Sequence, residues 1–169
     1  MQLRRDVLPA IQPNGVKLYA VGIGSAEAAA EFAEATDFPA TMLLADESEL
    51  TSAYATVGTR NTGRDEKGKQ IFEGVESMWN KDTNAGLKAR GRDDLNSITG
   101  NLFAPGPYVP LMPKGQGLFD PRAMERTMVQ GGTFVFDGDE QIFTHYDSSS
   151  GAHADLGEVV QLATEGRTR

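Results

Sequence analysis

Residues 16–46 read VKLYAVGIGSAEAAAEFAEATDFPATMLLAD, and the change of periodicity inside this run decides the fold. Its first part, VKLYAVG at 16–22, has the length and apolar character of a buried strand. Gly22 and Gly24 then open a turn, and Ser25 stands where a helix N-cap belongs. Glu27 in the first turn complements the positive end of the helix dipole, Ala28, Phe32 and Ala35 share one face, and Pro39 ends the helix. Residues 40–46, ATMLLAD, read as a second strand. A strand, a crossover helix and a strand imply parallel pairing, because a parallel pair needs a connection of that length.

Working outward, the segment before this unit carries Leu3, Val7, Leu8 and Ile11 as an apolar helical stripe. A helix that feeds a strand usually follows another strand. On the other side, DESELTSAYATVG (46–58) reads as a helix: Asp46 and Glu49 have capping-box spacing, Leu50, Ala53, Tyr54 and Val57 form its stripe, and Gly58 terminates it. Residues 59–126 differ in character. RNTGRDEKGKQ (60–70) is a charged linker, and IFEGVESMWNK (71–81) suits a helix presenting Ile71, Val75, Met78 and Trp79. ITGNLFAPGPYVPLMPKGQGLFDP (98–121) is broken by five prolines that fix φ and remove backbone donors. Residues 131–147 return to β character, with strands at 133–136 and 141–146 around a four-residue DGDE loop, and Phe134 and Phe136 on one side. Asp155 and Glu158 then cap a last helix whose face is Leu156, Val159, Val160 and Ala163. One domain is expected over 1–169, made of a β-α-β-α half at 1–58, an insertion at 59–126, and a hairpin with a C-terminal helix at 127–169.

Composition narrows the function. The chain has 169 residues, 39% hydrophobic and 24% charged, enough for one core of ordinary size. A net charge of −8 argues against nucleic acid, which is met by clustered Lys and Arg. No apolar run approaches the roughly 18 to 20 residues that span a bilayer, and the first residues lack the apolar core of a secretory signal. Plastid and cytoplasm both stay open as locations. Cysteine is absent, which removes disulfides, thiolate nucleophiles and Cys-ligated metals together.

QLRRDVLPAIQPNGVKLYAVGIGSAEAAAEFAEATDFP (2–39) and QGGTFVFDGDEQIFTHYDSSSGAHADLGEVV (130–160) resemble the peroxiredoxin-like branch of the alkyl-hydroperoxide-reductase and thiol-specific-antioxidant superfamily. With the element order, this resemblance implies an α/β thioredoxin-like fold, incomplete at its N-terminus, with a long insertion before the hairpin. In that family a first strand leads to a Cys-x-x-Cys or single-Cys motif at the start of the helix matching residues 1–11, and neither motif is present here. That strand would lie between the strands matching 16–22 and 133–136. Buried backbone groups left unpaired there cost about 1–3 kcal/mol each, against a domain stability of ~5–15 kcal/mol. Three outcomes are open: the two strands pair directly, the insertion fills the slot, or the chain is a fragment of a longer product, which is the favoured one.

The resemblance implies a redox family that reduces peroxides or disulfides, with this chain inactive because no residue inherits the nucleophile. The alternative is a non-catalytic binding or assembly module that uses the insertion. An in-frame strand and Cys-x-x-Cys encoded upstream would favour the first, and a nearby stop codon the second. No catalytic residue, cofactor or metal is assigned. Arg126 is a candidate for the cation that lowers a thiolate pKa in thiol peroxidases. His145, Asp147 and His153 are site-proximal candidates. Their spacing matches no standard zinc pattern, so a turn leading into the last helix is the plainer reading. QGGT lacks the proline that many thioredoxin-fold proteins place before the corresponding strand. VGIGSAE lacks the third glycine of a dinucleotide fingerprint, with Glu27 in its place. Trp79, Phe103, Tyr108, Leu111, Met112 and Phe119 either cover the sheet or form a patch for a protein partner.

Overall fold

The computed structural model describes residues 2–48, 51–60, 67, 69, 100–101, 104–105, 128–148 and 152–166. The N-terminal stripe folds as expected: a π-helical turn at Leu3–Val7 continues into α1 at Leu8–Ile11, with Pro9 where the two meet. Val7, Leu8 and Ile11 are buried together with Phe38, and Leu3 packs against them. A 3-10 turn at Gln12–Asn14 closes on Gly15 at φ +73°, a left-handed position that suits glycine.

β1 (Ala20–Ile23) pairs in parallel with β2 (Leu43–Asp46), the register running from Ala20 opposite Leu43 to Ile23 opposite Asp46. The parallel β-α-β reading therefore holds, with shorter strands than expected. Val16 and Leu18 reach the core, but the ladder begins only at Ala20, because residues 40–42 form a 3-10 turn and offer no strand to pair with. The expectation of a buried first strand is also corrected: Tyr19 is 58% and Val21 42% exposed, and Leu44, across from Val21, is 51% exposed. One face of this pair is packed by α1 and the other is open.

α2 (Ala26–Thr36) begins at Ser25, whose hydroxyl accepts the Ala28 N–H, as the sequence indicated. Its inward face differs from the expected one: Ala33 is buried and Ala35 exposed, beside half-buried Ala28 and Phe32. The helix also ends before Pro39 can stop it. Asp37 adopts the left-handed conformation at φ 52°, and the Phe38 N–H reaches back to the Ala33 carbonyl at 3.0 Å. This closing turn places an apolar residue just past the helix against the last buried one.

α3 is only Ser52–Thr56, and Ala53 and Val57 are exposed, so the expected stripe is reduced to Tyr54 among the described residues. Gly58 does end it, at φ +77°. A two-stranded antiparallel pair joins β3 (Gly100–Asn101) and β4 (Ala104–Pro105). The hairpin is β5 (Gly132–Asp137) with β6 (Glu140–Tyr146), antiparallel from Gly132 opposite Tyr146 to Asp137 opposite Glu140. Its turn is therefore two residues, Gly138 and Asp139, not the four of DGDE, because Gly138 at φ +61° supplies the tight reversal. An irregularity between Val135 and Phe136 breaks the alternation, leaving Val135 buried and Phe136 57% exposed.

α4 (Leu156–Glu165) starts at Asp155, whose carboxylate accepts the Glu158 N–H at 2.9 Å. Its Leu156, Val160 and Ala163 pack on the core that α1 helps form, and the helix also touches β5 and β6. α4 thus packs on α1 and on the hairpin, while α2 packs on β2. Among the described residues no ladder joins β1 to β5, so direct pairing of these two strands is not what fills the centre. No helix among the described residues is long and apolar enough to cross a membrane. The Trp79 helix and Arg126 lie outside the described residues; so does the proline-rich run except at the β3–β4 pair, where the expected loop carries a short antiparallel ladder.

Candidate functional site

The polar groups of the molecule converge where β6 ends. Asp147 follows Tyr146, and its N–H donates to the Gly131 carbonyl at 3.0 Å, extending the hairpin by one rung. Its carboxylate is almost wholly buried, with 5% of the side chain exposed. His153 Nδ1 lies 2.5 Å from Asp147 Oδ2, and His145 Nε2 lies 3.6 Å from Oδ1. His145 makes its shorter contact with the Ala152 carbonyl, at 2.8 Å, so this nitrogen carries the proton and donates. The three candidates read from the turn between hairpin and last helix are therefore brought together, and the carboxylate is their centre.

The geometry is not that of a metal centre. Both imidazoles spend a ring nitrogen on protein oxygen, and among the described residues no group of three His, Cys, Asp or Glu side chains is arranged to hold a metal ion. Gly131 lies flush against the cluster: a Cβ there would come within 2.9 Å of Asp147 Oδ2.

Distant segments close this end, and sequence reasoning missed them. Arg60 donates from Nη2 to the Ser148 carbonyl at 3.0 Å, and its own carbonyl accepts the Gln130 N–H at 2.8 Å. Tyr146 donates its hydroxyl to the Val57 carbonyl at 2.8 Å. Tyr54 donates to the Val21 carbonyl at 2.6 Å, tying α3 to β1. Burial pushes the Tyr54 phenol up from its ordinary value, and the negative charges of Asp46 and Asp147 push it further. The phenol thus stays a donor at any ordinary pH.

Asp46, at the end of β2, is the second buried carboxylate. Oδ1 accepts from the Ser48 hydroxyl at 2.5 Å and the Ser48 N–H at 3.1 Å, and Oδ2 accepts from the Ala53 N–H at 2.9 Å. The sequence placed Asp46 at a helix N-cap; it is instead a strand-end residue that organises the whole entry to α3. The Ser48 hydroxyl holds its carboxyl below the usual range, burial works against this, and the N–H groups of Ala53, Ser48 and Tyr54 add to the lowering. A depressed carboxylate contributes stability above its unfolded value of about 3.9, and that contribution is lost as pH falls through the folded value. Asp46→Ala is expected to destabilise the chain by about 1–2 kcal/mol in urea denaturation at neutral pH, with the difference from the unsubstituted chain shrinking in acid.

At the other helix entry, Glu47 Oε1 accepts the Ala26 N–H at 2.6 Å beside the Ser25 cap. Two first-turn donors of α2 are therefore engaged by protein, which leaves the Gly22–Gly24 turn ill-suited to a phosphate.

Parallel β-α-β followed by an antiparallel hairpin and a helix, with α1 and α4 packed together, makes the chain an α/β protein. A family profile described as AhpC/TSA antioxidant enzyme matches residues 2–149; the chain belongs to that family, and with it to the thioredoxin-like fold. No curated protein and no solved structure matches it.

Proposed function

We propose that this chain is a peroxiredoxin-like family member without thiol peroxidase activity of its own. The observation that carries the reading is the absence of cysteine from all 169 residues of a chain whose family is described as antioxidant enzymes. Thiol-dependent peroxide reduction needs a thiolate that attacks the peroxide oxygen, and neither Ser nor His replaces it as a two-electron reductant. The polar end of the hairpin is consistent with this reading, since Asp147, His145 and His153 hold one another and the turn. Peroxide consumption followed with the purified chain, with and without a thiol reductant, is expected to match the same mixture lacking the chain; turnover above that control in either case overturns the proposal.

A second reading is a binding module on the same scaffold. The observation that favours it is the open face of the β1–β2 pair, where Val21 and Leu44 are register neighbours and both exposed beside Tyr19. The sequence assigns a partner surface to residues 59–126; this apolar face lies in the β-α-β half.

A further inference from the structure

A buried carboxylate facing two imidazoles is a cluster that thiol chemistry does not use. From β6 comes His145, from just past its end Asp147, and from the approach to α4 His153. Asp155 at the head of α4 spends Oδ1 on the Glu158 N–H. Gln130 and Gly131, ahead of β5, present no charge. Arg60 spends Nη2 on the Ser148 carbonyl, and Tyr54, a raised phenol from α3, brings Asp46 behind it. The two histidines do different work. His145 donates to a carbonyl, which a neutral imidazole does as well as a charged one. His153 Nδ1 lies 2.5 Å from the carboxylate itself, where the charge of an imidazolium acts on a group that is almost wholly buried.

We propose that Asp147 and His153 form a proton-operated clasp, which fastens residues 152–153 and the entrance of α4 to the end of the hairpin when His153 is charged and loosens when it is not. An opposite charge at hydrogen-bond distance favours the charged imidazole, so a held histidine keeps its proton to higher pH than a free one. The stabilising contribution is then complete below the ordinary imidazole value of about 6.5 and is lost as pH rises through the folded value. Loosening weakens the contact between a buried carboxylate and its imidazole, which is costly. His145 is a positioning residue that aligns the turn, and Gly131 leaves room for the carboxylate.

The chain has two histidines, so His145→Gln assigns both imidazole signals by elimination. In proton NMR, the His153 signal of the folded chain is expected to titrate above the same signal in the urea-unfolded chain. In urea denaturation the unfolding constant is expected to rise between about pH 6 and about pH 8.5 by roughly tenfold more than in His153→Gln, the equivalent of one pKa unit. His145→Gln is expected to be less stable at both pH values and to keep the pH dependence. An equal pH dependence in the unsubstituted chain and in His153→Gln overturns the clasp, and so does a His153 signal that titrates no higher in the folded chain than in the urea-unfolded one, a measurement that needs no variant at position 153 to fold.

Discussion

Phe38→Ala is expected to cost about 3–5 kcal/mol, seen as a large fall in the urea midpoint, because it removes the aromatic member of the small central cluster. Phe38 is 3% exposed and packs with Val7, Leu8 and Ile11, while Met42, Leu43 and Leu156 lie around them. Its position has two consequences. Its backbone N–H closes α2 by reaching the Ala33 carbonyl, so the ring enters the core at the point where the chain leaves the helix. Deleting the ring empties the core and releases the apolar contact that fixes the turn. Cavities of this kind are refilled poorly when the surroundings are helix ends held by hydrogen bonds. Phe38→Leu, which keeps much of the volume, is expected to recover most of the loss. A midpoint unchanged by Phe38→Ala would show that α1, α2 and α4 do not share one core.

The features legible in the sequence were those whose causes lie within one or two turns of chain. Ser25 and Asp155 cap because a short polar side chain reaches an N–H three residues ahead, and both do so. The stripe of Val7, Leu8 and Ile11 is buried because an amphipathic helix has only one apolar face to bury. Strand limits were less legible, since a ladder ends where its partner ends. Val16 and Leu18 have strand character, and yet pairing waits for Leu43, which a 3-10 turn holds back. The hairpin turn was misjudged because DGDE admits two lengths, and the left-handed Gly138 decides between them.

The same division runs through the candidate site. His145, Asp147 and His153 stand within nine residues of one another, close enough for their convergence to be suspected from the sequence. Tyr54, Arg60 and Asp46 come from the opposite half of the chain, and no local pattern announces that Arg60 will meet Ser148. The one signal available was the glycine pair before β5, read only as a missing proline. Gly131 in fact marks the close approach of the Asp147 carboxylate. Family membership says which scaffold this is, and the cysteine count says which chemistry these residues lack. The side chains at the end of the hairpin then have to be explained by what they touch, which is one another.

Gly132→Val is expected to destabilise the chain by about 2–3 kcal/mol, toward the upper end of overpacking effects, although valine is a better strand former than glycine. A Cβ at position 132 would stand 2.9 Å from the His145 carbonyl oxygen and 3.0 Å from Phe134 Cζ. The carbonyl belongs to the β5–β6 ladder, where Thr133 lies opposite His145, and cannot retreat without breaking the pair. Phe134 is no freer, because its ring meets Tyr146 edge-on with centroids 5.6 Å apart. Gly22→Ala in β1 is the control: a Cβ there meets nothing within 4 Å, so the change is expected to be neutral to within about 0.5 kcal/mol. If the two substitutions cost the same in thermal and urea unfolding, close approach is not the reason for glycine at 132. The distinction reaches the cluster beyond the hairpin, since a ladder forced open at Gly132 shifts the carbonyl side of His145 and, two residues on, the carboxylate on which His153 rests. Gly132→Val is therefore expected to disturb the contact between His153 and Asp147 as well as to lower the stability of the fold, whereas Gly22→Ala leaves both where they are.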